Sequence, residues 1–556
     1  MAVAGDIPPE IWHEALIYLD PSDLLRLRLV SHWMLNILSD SSYAQYLIEC
    51  FSSGVYDPLH SGLSYSERLE IIRRRESAWR TMRPVRRFDV PIGFKASGLY
   101  DLTGGTFLLG RSSNPEFVHT SGYSVLRLPS SGDVDVGEGG GGGGKRWRDF
   151  ELDVDVVDFG LSVHEHDLNV VVTQRQVEGP PPEGHGHGHG LLIMLAKFEL
   201  HIRQFSTGEL HPDAAQPVII LRAQGLVIQR AHAMVEIVGD LAVVLLFFPF
   251  MVGMRLDSLY VVNWRTGVVF EHPRFPPHTH RSFVFLDPTT IMLQNMRTLA
   301  LDVYQIYERG TGQMAFRQIT SLNLPEKLPG VRLISCQARA EPNPTTPSSS
   351  GPPPPSSRPF RNKPENAIVI ISMTLMYAPH STMSMTLIAH RSALLDAAKK
   401  AMNVESLGES DGDGDSVEGV PYEEWGIDTT SWFEAGASWI TQTSGERFAC
   451  LTHETSYTAI RVYDFNQRHV RRLLAQQGTS RVRDSGHTEE VVNGRRKLHV
   501  TAWFARPIEF GLAHVQSTLE EPCTADGVLI DEENLLLLTT DRSTYRIKTV
   551  EGLHFG

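Results

Sequence analysis

The sequence predicts an α+β multidomain protein: short N-terminal helices followed by a large all-β domain, a degenerate β-propeller of six or seven blades. Three observations lead there. Helical spacing of apolar residues is confined to the stretch before Pro84. From Val85 onward, short runs rich in Val, Ile, Leu, Phe and Tyr alternate with Gly, Asp, Asn and Pro, as strands alternate with turns. Several of those runs repeat one shape at intervals of about forty to sixty residues.

The first helices lie between Ile7 and Leu38. Leu16 and Leu19, then Leu24, Leu27 and Val30, recur at steps of three, with Ile11, Leu25 and Leu29 alongside. Asp20-Pro21-Ser22-Asp23 starts the second helix. Asp20 is placed to cap it, Pro21 suits the first helical position, and Asp23 favours the positive helix end. The apolar set is broader than helices this short can bury among themselves, so another surface must cover the remainder. The segment resembles the F-box: Ile7-Pro8, Glu10-Ile11, Leu16, Leu19, Asp23-Leu24-Leu25, Val30-Ser31 and Trp33 stand in that family's order. Ala15 departs from the common Ile, and His32 from the usual Arg or Lys. The resemblance implies docking onto the Skp-type adaptor of a cullin-RING ubiquitin ligase. It assigns the contact to Ile7, Pro8, Glu10, Ile11, Leu16, Leu19, Leu24, Leu25, Val30 and Trp33. A helical hairpin that only caps the rest of the protein is the plainer alternative.

A further helix follows. Ser64-Tyr65-Ser66-Glu67 has capping-box spacing, and Tyr65, Leu69, Ile72 and Trp79 keep a helical period. Arg73, Arg74 and Arg75 are expected on its outer face, solvated rather than forming a phosphate site. Pro84 closes the helical section. The chain then divides into an F-box segment at 1–50, a helical linker at 51–84 and the β domain at 85–556, with residues 84–556 expected to fold without the first 83.

In the β domain the clearest repeat runs Val235–Asp240, Leu241–Phe248, Leu259–Gly267 and Val268–Phe270: strand, Gly-Asp turn, strand, then an aromatic-rich strand ending in a Thr-Gly hairpin. Phe198–Leu210, Leu299–Gly312, Leu99–Gly104 and Ile460–Asn466 are weaker copies, and Gly527–Ile547 supplies closing strands. The pattern resembles degenerate WD-repeat blades, without the Gly-His start or the terminal Trp-Asp. An irregular β-sandwich or two stacked β domains would show a similar texture. Four low-complexity insertions, near 133–145, 179–190, 341–358 and 405–424, are too poor in apolar residues to repay ordering and are expected to be mobile loops.

Composition narrows the function. Net charge is −14, which argues against a nucleic-acid surface. Cys50, Cys336, Cys450 and Cys523 are scattered, with neither metal spacing nor a disulfide framework, so a reducing compartment is expected, cytoplasmic or nuclear. No secretory signal is visible. The apolar run Leu241–Met254 is short for a bilayer span and is interrupted by Pro249, so it reads as buried strand and no membrane partner is expected.

Candidate chemistry dissolves on inspection. Gly139–Lys145 fits a phosphate loop only formally, because Arg146 replaces the needed Ser or Thr and a strand pattern follows. His185, His187 and His189 lack any preorganised geometry, and His164-Glu165-His166 lacks metalloprotease spacing. No cofactor, metal or catalytic residue is expected. Two function classes remain: a non-catalytic substrate receptor in a ubiquitin ligase, or a ligand-binding or enzymatic propeller whose N-terminal helices merely cap it. A ligase-independent scaffold is a further variant. Helices that are exposed and separate favour the receptor; helices buried against the β domain favour the cap.

Overall fold

The computed structural model describes residues 8–58, 62–112, 119–132, 147–179, 193–221, 231–248, 257–271, 275–310, 313–346, 358–378, 381–405, 419–436, 439–453, 457–477, 482–484, 487–544 and 546–556. The chain opens with helices α1 (Pro9–Leu16), α2 (Pro21–Leu27), α3 (His32–Asp40), α4 (Ser42–Ser52) and α5 (Tyr65–Thr81). Proline occupies the start of α1 and of α2, where a missing donor costs nothing. Asp20 makes no side-chain cap; α2 begins instead on the fixed φ of Pro21 and the Leu24 N–H donating to the Asp20 carbonyl at 3.0 Å. Ser31 and Ser41 do cap, their hydroxyls accepting from Met34 N at 3.1 Å and Ala44 N at 3.2 Å. Ser64 and Glu67 form the reciprocal box at the start of α5.

One expectation for α5 is overturned. Arg75 is fully buried, not solvated with Arg73 and Arg74. The helical period puts position 75 on the face of Arg68, Ile72 and Trp79, which all point inward. Its guanidinium lies 4.4 Å from the Phe360 ring centroid and donates to Glu76 Oε1 at 2.8 Å.

Beyond α5 most of the described strands form seven units in a ring, antiparallel apart from Gly419–Val420, which pairs parallel to Ser321–Leu322 in blade four. Blade one is Ala96–Thr103, Thr106–Arg111, Thr120–Arg127 and the start of Arg148–Ser162. That last strand pairs with blade one through Arg148–Glu151 and with Leu168–Gly179 through Val156–Ser162, so it ends one blade and begins the next. Blade two continues with Ile193–Gln204 and Val218–Leu221. Blade three is His232–Val238, Leu241–Phe247, Ser258–Asn263 and Val268–Glu271, matching the clearest sequence repeat. Blades four and five begin at Phe283 and Arg332. Blade six begins at Thr443 and carries two extra strands beyond its own four. Blade seven is Gly527–Ile530, Asn534–Thr540 and Ile547–His554, completed by Arg86–Val90 from the other end of the β region.

The apolar clusters explain why the ring holds. Alternate residues of one strand face opposite neighbours: Met234, Val243 and Leu245 pack toward blade four, while Val235, Ala242 and Val244 pack toward blade two. Both faces are buried, so such strands read as continuous apolar runs. An equivalent cluster lies between every consecutive pair of blades, including seven and one, where Leu529, Leu536 and Val550 meet Leu102, Phe107 and Leu126. The architecture is therefore a seven-bladed propeller closed by its first and last strands. At the Thr-Gly hairpin of blade three, Gly267 has φ +76°, the left-handed turn that its sequence announced.

Of the compositionally marked insertions, 133–145, 180–190, 347–357 and 406–418 lie outside the described residues. The flanks of the last two are packed structure. Asn343 donates to Glu236, the Thr346 amide and hydroxyl donate to Glu165 at 2.9 Å, and Tyr422 and Trp425 are buried. His164-Glu165-His166 thus serves a structural tie. The tie continues across the axis. Arg358 is buried against Asp531, Glu532 and Glu533; burial opposes its charge, but the three carboxylates hold its pKa above the usual arginine value. Asn362 and Arg361 pair as a short strand with Val55 and Tyr56, the segment that leaves α4.

Candidate functional site

Helices α1–α4 enclose their own small core of Leu16, Leu24, Met34, Ile37, Leu38, Ala44 and Ile48. Trp12 meets Trp33 edge-on at 5.6 Å beside it. The turn after α2 is tight: Leu29 N donates to Arg26 O at 3.0 Å and Val30 N to Leu27 O at 3.1 Å. That turn aims two aliphatic side chains at solvent, with Leu29 87% and Val30 71% exposed. Ile11 on α1 is 53% exposed. Monomeric surfaces do carry scattered apolar residues, but adjacent Leu and Val at such exposure in so small a unit stand out against that background.

The ten residues assigned from the sequence separate into three groups. Pro8, Glu10, Ile11 and Val30 are exposed and available; Leu19, Leu25 and Trp33 are half-buried at the margin of the core. Leu16 and Leu24 are corrections: both are fully inside, because a unit of four short helices needs its most central leucines for its own interior. In this fold they support the turn from inside. Ile7 lies outside the described residues. Leu29, which the spacing had placed alongside the others, and Ile17 and Tyr18 in the α1–α2 connection, the latter 84% exposed, lie outside that assignment and are exposed as well. Their signal was present: large apolar residues left over after the helical faces are filled.

The attachment behind this face is rigid. Tyr46 and Cys50 of α4 share a core with Leu69 and Ile72 of α5, Val55 and Phe360. Trp79 of α5 stacks on Phe555 with centroids 4.0 Å apart and planes 11° from parallel. Arg447 of blade six reaches Glu76, whose carboxyl, despite a burial that would raise its pKa, is held below the ordinary range by Arg447 and Arg75. So α4 and α5 belong to the propeller's packing, and α1–α3 project from it. The boundary expected at residue 84 therefore cuts through a shared core.

Residues 5–41 match the F-box domain family. The chain carries an F-box. No curated protein matches the chain as a whole. Among solved structures, the protein is similar to Hsv2 of Kluyvelomyces marxianus, at 9% identity and TM-score 0.24 over 41% of this chain, and it spans about three fifths (61%) of that protein's length. It is similar also to regucalcin, a calcium-binding protein of Agrobacterium tumefaciens, at 10% identity and TM-score 0.25 over 56% of this chain and 88% of that one. YCF48 bound to D1 peptide matches at 9% identity and TM-score 0.24, over 55% and 78%. Likeness at that level bears on neither site nor activity. An F-box implies an adaptor role in ubiquitin ligation, and F-boxes typically bind Skp-type adaptors of cullin-RING ligases. No described helix is long and apolar enough to cross a membrane.

Proposed function

We propose that the chain is the substrate receptor of a Skp-cullin-F-box ubiquitin ligase, with α1–α3 gripping the adaptor and the propeller gripping a target protein. The observation that carries the reading is the exposed Leu29-Val30 turn of an F-box whose interior is already complete. Covering each of those side chains is worth roughly 1.5–3 kcal/mol, part of which offsets the ordering cost of association. The receptor performs no bond chemistry. It raises the effective concentration of a target lysine beside the conjugating enzyme, and orientation then does the rest.

Orientation needs a stiff link, and the blade-five insertion supplies one. Val55–Tyr56, Arg361–Asn362 and Arg358 lace α4 to the propeller across the axis on the face carrying the Thr103–Thr106 and Asp531–Glu533 turns. With that face occupied, the target is received on the opposite one, where Met296–Leu299 and Asp541–Thr544 turn. On this reading the protein works in the cytoplasm or nucleus, where ubiquitin ligases of this class act. The test is reconstitution with adaptor, cullin and RING subunits and a partner identified by crosslinking. Ubiquitin transfer to that partner only in the full assembly is the expected result. Adaptor capture with no modified partner would favour a scaffold, and turnover by the isolated chain would favour an enzyme.

A further inference from the structure

Six arginines converge where the F-box helices meet blade six. Between α4, α5 and helix Gln467–Gln477 lies a cleft of about 770 Å³. Arg73 and Arg80 enter it from α5, Arg447 from the blade, and Arg468, Arg471 and Arg472 from the last helix, against the carboxylates Glu49, Glu76 and Asp464. Those carboxylates are already engaged: Glu76 and Asp464 by Arg447, and Glu49 by Arg73 at 3.5 Å. Arg471 and Arg472 form no ion pair among the described residues, and Arg468 is held over the Phe51 ring at 3.8 Å. In a chain of net charge −14, this concentration of unspent positive charge runs against the rest of the molecule.

We infer that the cleft binds a compact polyphosphorylated small molecule. Guanidinium forks take phosphate oxygens two at a time, and convergence from three elements suits several phosphates on one small frame. A peptide is a poorer fit. The strand in the cleft wall, Thr458–Asp464, is paired along both edges, so an extended backbone finds no ladder to join. Trp79, Val462 and Phe51 supply an apolar floor under the charged rim. A bound polyanion would clamp α4 and α5 to blade six and stiffen the link between F-box and propeller. The site itself stands whether or not the chain serves a ligase.

The experiment titrates the full chain with sodium tripolyphosphate at fixed ionic strength, by calorimetry and thermal melting, with sodium sulfate and hexaglutamate as comparison anions. Saturable one-to-one binding is expected, with a rise in Tm and at least tenfold weaker binding by sulfate and hexaglutamate. Arg471→Glu with Arg472→Glu should weaken tripolyphosphate at least tenfold while the ligand-free melt of the propeller and adaptor capture are unchanged; the melt shows that the variant is folded and the capture that the F-box reading is separate. If the double variant does not fold, Arg472→Gln alone is read in the same titration and should lower affinity severalfold. Equal affinity in the variants, absence of saturation, or hexaglutamate binding as tightly as tripolyphosphate would overturn the inference.

Discussion

Residues 8–40 and the propeller obey the same packing rules to opposite ends. In α1–α3, Ile11, Ile17, Tyr18, Leu29 and Val30 stand exposed within one short segment. Across the far longer β region the large exposed apolar residues are scattered: Val85, Leu210, Val218, Ile220, Val268 and Tyr377. A propeller gives every strand two neighbours, so its apolar residues are consumed on both faces. Three short helices have one inside and cannot consume theirs. The excess on the small unit is therefore a statement about a partner, and the near-completeness of the large one is a statement about self-sufficiency.

The largest expected effect breaks that contrast at its exposed end. Leu29→Asp with Val30→Asp should lower adaptor affinity by about a hundredfold or more, since two aliphatic burials of roughly 1.5–3 kcal/mol each are replaced by desolvated charge. Melting of the variant should match the parent, because neither side chain packs inside. Calorimetric titration of adaptor, beside a melt, reads both. Unchanged affinity would mean that the F-box face lies elsewhere, with Ile17 and Tyr18 the next place to look.

Trp79→Ala tests the opposite end. It removes the stack on Phe555 and the largest α5 side chain in the core between blades six and seven. A loss of about 3–5 kcal/mol is expected, typical of a buried aromatic replaced by alanine. The loss should appear in the β-rich transition, since α5 belongs to the propeller. Close behind comes Leu24→Ala, at about 2–5 kcal/mol, confined to the helical unit. It should abolish adaptor binding only as that unit loosens, so cooling should restore binding to the Leu24 variant and not to the Leu29-Val30 variant. Hydrogen exchange resolved along the chain separates the two transitions.

Much of this was legible. The F-box order, the capping box and the blade-three repeat are local patterns, and local patterns survive in a single sequence. The closing pair was not, because Arg86–Val90 and Ile547–His554 lie at opposite ends of the β region and neither run signals the other. The blade-five tie was hidden for a different reason: residues 341–346 and 358 fall in the stretch that reads as low-complexity loop, yet Glu341, Arg358 and the following Asn362 are fixed by polar contacts that composition does not reveal. In the helical unit, periodicity picked out the leucines but not which way they face. Leu24 lies on α2 and Leu29 in the turn just after it, both within one short apolar pattern, and only the surrounding structure decides that one is inside and the other outside.

The smallest effect concerns the propeller's interior charge. Glu341 sits against Thr103 at the axis, and burial, reinforced by Asp101, pushes its carboxyl up to about 8. Burial likewise lifts Asp158 to about 7 and Asp101 to about 6. A carboxyl whose folded pKa exceeds its unfolded value binds its proton more tightly when folded. Its contribution is fully present below the unfolded value of 4.5 for Glu341 and is lost as pH rises through about 8. His514 acts in the other direction: burial depresses it to about 3 from 6.5, so its contribution is present above 6.5 and is lost as pH falls toward 3. Stability should therefore sag on the alkaline side as well as in acid. Glu341→Gln keeps the shape and the hydrogen-bonding group while removing the proton, so the decline between pH 6 and 9 should shrink, a relative Tm gain of about 1–2 °C at pH 9. Among the described residues the helical unit carries no such buried carboxyl, so its transition should keep the same pH dependence in both proteins. A variant whose propeller melts in parallel with the parent at every pH would show that Glu341 is already ionised in the fold.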